Sequence, residues 1–307
     1  MKSFLLLIAG GLLLWSTTQA QSPTALRTEN VILLTFDGLR WQELFGGADS
    51  VLLESEFTKD KAGMKARFWA DTPQQRRAKL LPNLWNLVEQ QGQLYGNRWK
   101  QNHVNTTNIM HFSYPGYNEI LTGSEDDDHI QSNDKVPNRN ITVLEFLNKQ
   151  PRYAGKVAAF GSWDVFPYIE NHPRSGVYVN AGYMPTTDEP LTEREKLLNE
   201  LQETLPREWA SVRFDALPYQ LAKEYVKKHK PKVLFLSLGE TDDYAHDSRY
   251  DHYLQSAHSS DKLIRDLWDY LQSTEEYPGK TSIVLPPAQG RGDANKKDWP
   301  SHGSRIR

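Results

Sequence analysis

The chain contains no cysteine. Disulfides, thiolate zinc sites and cysteine nucleophiles are therefore excluded. It lacks an excess of either charge: 36 Lys and Arg against 39 Asp and Glu give a formal net charge of −3. Nothing in that balance points to a nucleic-acid polymer or an anionic membrane as partner. Internal repeats and low-complexity tracts are absent as well. So is an apolar run of spanning length, because the stretch Phe4 to Trp15 falls short of the about 20 residues a membrane span needs. With Lys2 before it and Thr18-Gln19-Ala20 behind it, that stretch reads as a secretory signal over residues 1–20, an uncleaved anchor being the alternative. Export, to a periplasm or the outside, is the expectation. The rest, residues 21–307, is long enough for one large α/β domain or two small ones.

What is present is an alternation of short apolar β-type runs and helical patterns. Val31 to Phe36, Lys156 to Phe160, Lys232 to Leu238 and Ser282 to Leu285 read as buried parallel strands. Between them, Leu81 to Gln90 has helical spacing with Gly92 as a stop. Asn140 stands as a cap for Ile141 to Asn148. Asp215 opens a helix that closes at Pro231, and Asp251 to Gln272 forms a longer one. Strands alternating with helices predict a doubly wound, mostly parallel α/β sheet. The segment 167–213 is rich in Pro, Asn, Glu and Arg, holds a helix at about Thr192 to Leu205, and reads as an insertion over that sheet.

Chemistry in open α/β folds gathers at the carboxyl ends of the strands. The first strand ends in Asp37-Gly38, which can equally be an ordinary turn Asp. After the third, Asp242 and His246 stand four apart, so one helical turn brings carboxylate and imidazole together. That pair suits Zn²⁺ or a similar ion; a solvated acidic loop is the plainer alternative. His252 and His258 read as surface or packing residues. In Phe112 to Gly123, Pro115 suits the first turn of a helix and Gly123 its end, which places Ser113 at the N-terminus, as an anion-facing nucleophile or a simple cap. No Gly-x-Ser-x-Gly elbow is present, so a serine nucleophile here would need another activator, such as a metal ion. Asp298 to Gly303 adds His302 in a turn. The acidic run Glu125 to Asp128 reads as a solvated face.

Taken in order, Val31 to Gly38, Leu81-Pro82-Asn83-Leu84, Phe112 to Gly123, Asn133, Glu240 to His246, Gly290-Arg291-Gly292 and His302-Gly303 resemble the alkaline phosphatase superfamily, in particular its nucleotide pyrophosphatase/phosphodiesterase-like branch. The resemblance implies a three-layer α/β/α sandwich. It also implies two divalent ions, commonly zinc, and a small phosphorylated substrate or phosphate as partner. Carried over by position, Asp37 and Ser113 would hold one ion, with Ser113 as nucleophile. Asp242, His246 and His302 would hold the other, and Asn133 would hold a phosphoryl oxygen. The implied reaction is attack of Ser113 on phosphorus followed by hydrolysis of the phosphoserine. A sulfatase-like activity ranks lower, because Tyr117 stands where that branch has Arg.

One segment departs from the pattern. The family's last strand ends in Thr-Thr-Asp-His-Gly; here the chain reads Pro286-Pro287-Ala288-Gln289-Gly290. Ala288 has no donor atom, and a neutral Gln289 amide is a poor substitute for imidazole. Two ligands of the first ion are thus missing, and one ion site is expected to remain. The family also continues past the position of Arg307, so a C-terminally truncated sandwich is expected. Three readings stand together: an impaired phosphoric-ester hydrolase, a non-catalytic phosphate- or metal-binding protein, and a short reading-frame shift over codons 286 to 289.

Overall fold

The computed structural model describes residues 27–292 and 296–302. The expected signal segment and Gly303 lie outside the described residues. Five strands form one all-parallel sheet in the order β3-β2-β4-β1-β5: β1 (Asn30–Phe36), β2 (Val157–Gly161), β3 (Tyr178–Ala181), β4 (Val233–Leu238) and β5 (Thr281–Val284). Helices cover both faces, so the fold is the expected three-layer α/β/α arrangement. Among the described residues no helix is long and apolar enough to cross a membrane.

The two-residue period of the strands explains the layering. Ile32, Leu34, Phe36, Ala158, Phe160, Leu234, Leu236 and Leu238 point into one core, against Leu254, Ala257, Ile264 and Leu267 of the helix Tyr250–Gln272. Leu33, Val157, Ala159, Val233 and Phe235 point into the other, against Tyr114, Tyr117 and Leu121 of the helix Ser113–Thr122. Strands apolar on both sides are what a parallel sheet between helices requires.

Two expectations need correction. The helix sought behind an Asn140 cap runs Val143–Asn148, and Thr142 caps it through a 3.0 Å bond to the Glu145 N–H. Asn140 instead donates to Asn118 and Asp126. The segment 167–213 does more than lie over the sheet: it supplies the edge strand β3, in register with β2 from Ala158↔Tyr178 to Gly161↔Ala181. Four residues beside Gly176 and Gly182 are too few to show as an apolar run.

The register of the central strands places the site. β1 and β4 pair to their ends, Phe36 opposite Leu238, and Asp37 N donates to Leu238 O at 2.9 Å. On the other side of β1, Phe36 bridges Pro287 and Ala288 N reaches Phe36 O. Asp37, the helix Glu240–His246 and the Ala288-Gln289 segment therefore leave the sheet side by side.

Candidate metal centre

Four elements meet at this edge. Asp37 follows β1 directly. Gly38 behind it has φ +68°, and a Cβ there would stand 2.5 Å from Asp242 Oδ1, so only glycine turns the chain and leaves room for that carboxylate. The helix Glu240–His246 carries Asp242 and His246, one turn apart as expected. Its start is tied down by Asp215, whose Oδ1 accepts from Gly239 N at 2.7 Å and Ser162 Oγ at 2.5 Å. Ser113 is the first residue of the helix Ser113–Thr122, which has no side-chain N-cap and ends at Gly123 in the left-handed region. Gly116 lets this helix approach the incoming segment: a Cβ there would stand 2.4 Å from Ala288 O. The fourth element is the stretch 296–302, returned to the site by an antiparallel bridge between Arg291 and His302.

Asp242, His246 and His302 converge, with one ligand atom from each lying within 4.8 Å of the others. His246 Nε2 is 3.1 Å and His302 Nε2 3.4 Å from Asp242 Oδ2, and the two Nε2 atoms are 2.7 Å apart. Two imidazole nitrogens and a carboxylate oxygen around one point are a donor set suited to a zinc-like divalent ion. A hollow of about 560 Å³ opens beside them, lined by Met110, His111, Phe112, Asn133, His246, Ser301 and His302. Asn133 Oδ1 accepts the Tyr114 N–H at 3.0 Å, which leaves its N–H₂ group as the free donor of this side chain.

The other half is closed. Gln289 is 4% exposed, and its Nε2 stands 3.0 Å from Ser113 Oγ, 3.2 Å from Asp37 Oδ1 and 3.3 Å from Asp242 Oδ1. Arg291, also buried, pairs with Asp242 Oδ1 and donates to Trp299 O at 2.9 Å and Pro300 O at 2.5 Å. Tyr117 donates to Asp37 Oδ2 at 3.2 Å. Ser113, Asp37, Ala288 and Gln289 thus meet as neighbours, but as a hydrogen-bonded cluster in which Ala288 offers no ligand and the Gln289 amide presents nitrogen rather than oxygen. These residues do not fit a divalent ion. Asp242, His246 and His302 do.

The charges divide in the same way. Burial, then the Asp242 charge, pushes the Asp37 carboxyl well above the usual range. Burial acts upward on Asp242 too. There Arg291, followed by hydrogen bonds from His246 and His302, outweighs it and holds the carboxyl well below the usual range. Asp243 next door is pushed up to about 9, by burial first and the Asp242 charge second.

Three participants escaped the sequence reading. Arg291 looked like part of a glycine-rich loop, and its contact with Asp242 links residues 49 apart. Gln289 looked like a loss, yet it bridges three side chains. Tyr117 had a usable signal: it lies four residues after Ser113 on the same helix, hence on the same face. His252 and His258 are packing residues, as expected: His252 rests on Tyr244, and His258 Nδ1 donates to Leu80 O, 2.8 Å away, beside Phe68. Asp126 and Asp127 are partnered rather than merely solvated, by His129 and by Ile109 N.

Fold and site define a three-layer α/β protein with a candidate two-histidine, one-carboxylate metal centre at the carboxyl edge of its sheet. No protein-family model and no curated protein sequence matches the chain. Among solved structures it is similar to the lipoteichoic acid synthase LtaP from Listeria monocytogenes, at 12% identity and a TM-score of 0.43. The match covers 85% of this chain and 56% of that one, little more than half its length. A likeness this distant says nothing of activity.

Proposed function

We propose that this chain is an alkaline-phosphatase-like, phosphoester-handling protein that keeps one divalent-ion site and has lost most of its hydrolytic power. The observation that carries the reading is the contrast within the site. The ligand atoms of Asp242, His246 and His302 converge beside an open hollow, while Ser113 is 4% exposed beneath a donor from Gln289. When bound, a divalent ion would supply positive charge for a phosphoryl oxygen. The chain's own residues supply the rest. Asn133 is among the residues lining the hollow, and Phe112, 40% exposed, gives it an apolar rim. Ser113 Oγ is engaged by the Gln289 amide and the Asp37 carboxyl rather than by an ion. The partner is a small phosphorylated compound or phosphate, met outside the cytoplasm if the N-terminal run acts as an export signal.

The test is metal content together with turnover. Zinc-loaded protein should carry one ion per chain, hydrolyse p-nitrophenyl phosphate mono- and diesters only feebly, and bind inorganic phosphate more tightly with the ion than without it. Two tightly held ions with Ser113-dependent turnover would overturn the reading in favour of a working phosphoric-ester hydrolase.

A further inference from the structure

We infer that the Gln289 carboxamide, backed by the Arg291 guanidinium, serves as a built-in replacement for a cation between Asp37, Ser113 and Asp242, so that this half of the site is closed by the chain itself and takes no metal. Three oxygens, two of them from carboxylates, face one point. Something electropositive must stand there, or the carboxylates confront each other across a buried space. Gln289 Nε2 stands there, at 3.2, 3.0 and 3.3 Å from the three oxygens. The orientation of the amide is settled by its surroundings: a Gln oxygen facing three oxygens would be repelled by all of them.

The spacing is that of N–H donation, not of metal ligation. Oxygens sit about 2.0–2.2 Å from zinc, so each of these three would have to close in by about 1 Å to hold an ion. Gln289 cannot yield easily, since it is 4% exposed and Ala288, before it, is fully buried against the helix of Ser113. Its Oε1 is buried with no hydrogen-bond partner among the described residues. A buried orphan acceptor is a cost the fold accepts in order to aim Nε2 at the three oxygens. Arg291 completes the replacement. Its charge already lies on Asp242 Oδ1, fixed by the carbonyls of Trp299 and Pro300, so that oxygen is paired without an ion.

The inference uses the one-ion reading above only as a baseline for counting. Chelator-stripped wild-type chain, Gln289→Glu, and a His246→Ala/His302→Ala double variant are titrated with zinc alone. Bound ions are counted by elemental analysis, and melting temperature is followed. Gln289→Glu replaces the amide donor with a carboxyl group facing Asp37 and Asp242. It should melt lower than wild type when stripped, bind one ion more per chain than wild type, and regain its melting temperature as zinc is added. The same ion count in Gln289→Glu and wild type would overturn the inference. If Gln289→Glu does not accumulate as folded protein, Ala288→Asp with Gln289→His is read by the same count. The histidine double variant tests the other site independently: wild type and double variant both free of zinc would sink the one-ion reading, while the difference between Gln289→Glu and wild type would still decide this one.

Discussion

The two halves of the site share a carboxylate but solve opposite problems. Around Asp242 Oδ2 the chain gathers imidazoles at the rim of an open hollow, the His246 side chain 43% exposed. Around Asp37 it gathers an amide, a phenol and a hydroxyl in a buried cluster. One half is arranged to receive charge from outside; the other satisfies its carboxylates from within. The difference teaches that residue types alone do not define an ion site. Asp37 and Ser113 are of residue types that the sequence resemblance led one to expect around an ion, but the chain crosses that place with a side chain of its own.

Four measurements would break or sharpen the comparison, the largest effect first. Arg291→Met removes the buried guanidinium and leaves Asp242 unbalanced. Breaking one side of a buried pair costs about 3–5 kcal/mol, so urea denaturation of stripped protein should show a loss of that order. A loss no larger than for a surface arginine would mean that the closed half is not held by charge.

The next removes a buried carboxyl that contacts neither half directly, as a reference for what burial does. Glu170 is fully buried, accepts from Thr142 Oγ1 at 2.8 Å, and is pushed up to about 8 by burial, with the Glu145 charge adding to it. The folded chain keeps a proton there that the unfolded chain, with an ordinary value of 4.5, has lost. Stability from this group is therefore fully present below about 4.5 and is lost as pH rises to about 8. Glu170→Gln should match wild type at low pH and exceed it at pH 8 and above, by on the order of a few kcal/mol. Parallel curves across that range would refute the assignment.

Third, His246→Ala should weaken zinc binding at least as much as losing a metal site's outer supports does, about 10–100-fold, with little change in the stability of stripped protein. Unchanged zinc affinity would dissolve the distinction between the halves. The smallest effect is expected from Asp37→Asn. The new side chain keeps one oxygen for Tyr117 or Gln289, so at low pH the loss should be about 0.5–1.5 kcal/mol, one ordinary hydrogen bond, and it should shrink as pH rises because burial and the Asp242 charge hold the Asp37 carboxyl above its usual range. A loss equal to that of Arg291→Met would show that both halves carry charge alike.

Much of this architecture was legible before the structure. The strands rich in Val, Leu and Phe, the approximate starts and stops of the long helices, and the helical turn joining Asp242 to His246 all follow from local pattern. β3 was not legible, because an edge strand of four residues leaves almost no periodicity. The short helices between Trp41 and Leu80 were missed for the same reason. In the site, ligand-type residues stood out by chemistry and strand-end position. Arg291 and Gln289 did not, because their meaning lies in contacts with Asp37, Ser113 and Asp242, which are far away along the chain.

Trp299 is fully buried, its ring 5.4 Å from Phe57, 5.3 Å from Tyr250 and 5.4 Å from Tyr253. It anchors the stretch that delivers His302 and whose carbonyls hold Arg291. An ion held through His302 would therefore depend on this stretch staying docked. An affinity measured in solution is the intrinsic affinity of the three ligands multiplied by the fraction of molecules with this anchor in place. A substitution at Phe57, more than 200 residues from His302 in sequence, can therefore weaken zinc binding without touching a ligand, and the fluorescence of Trp299 would report it.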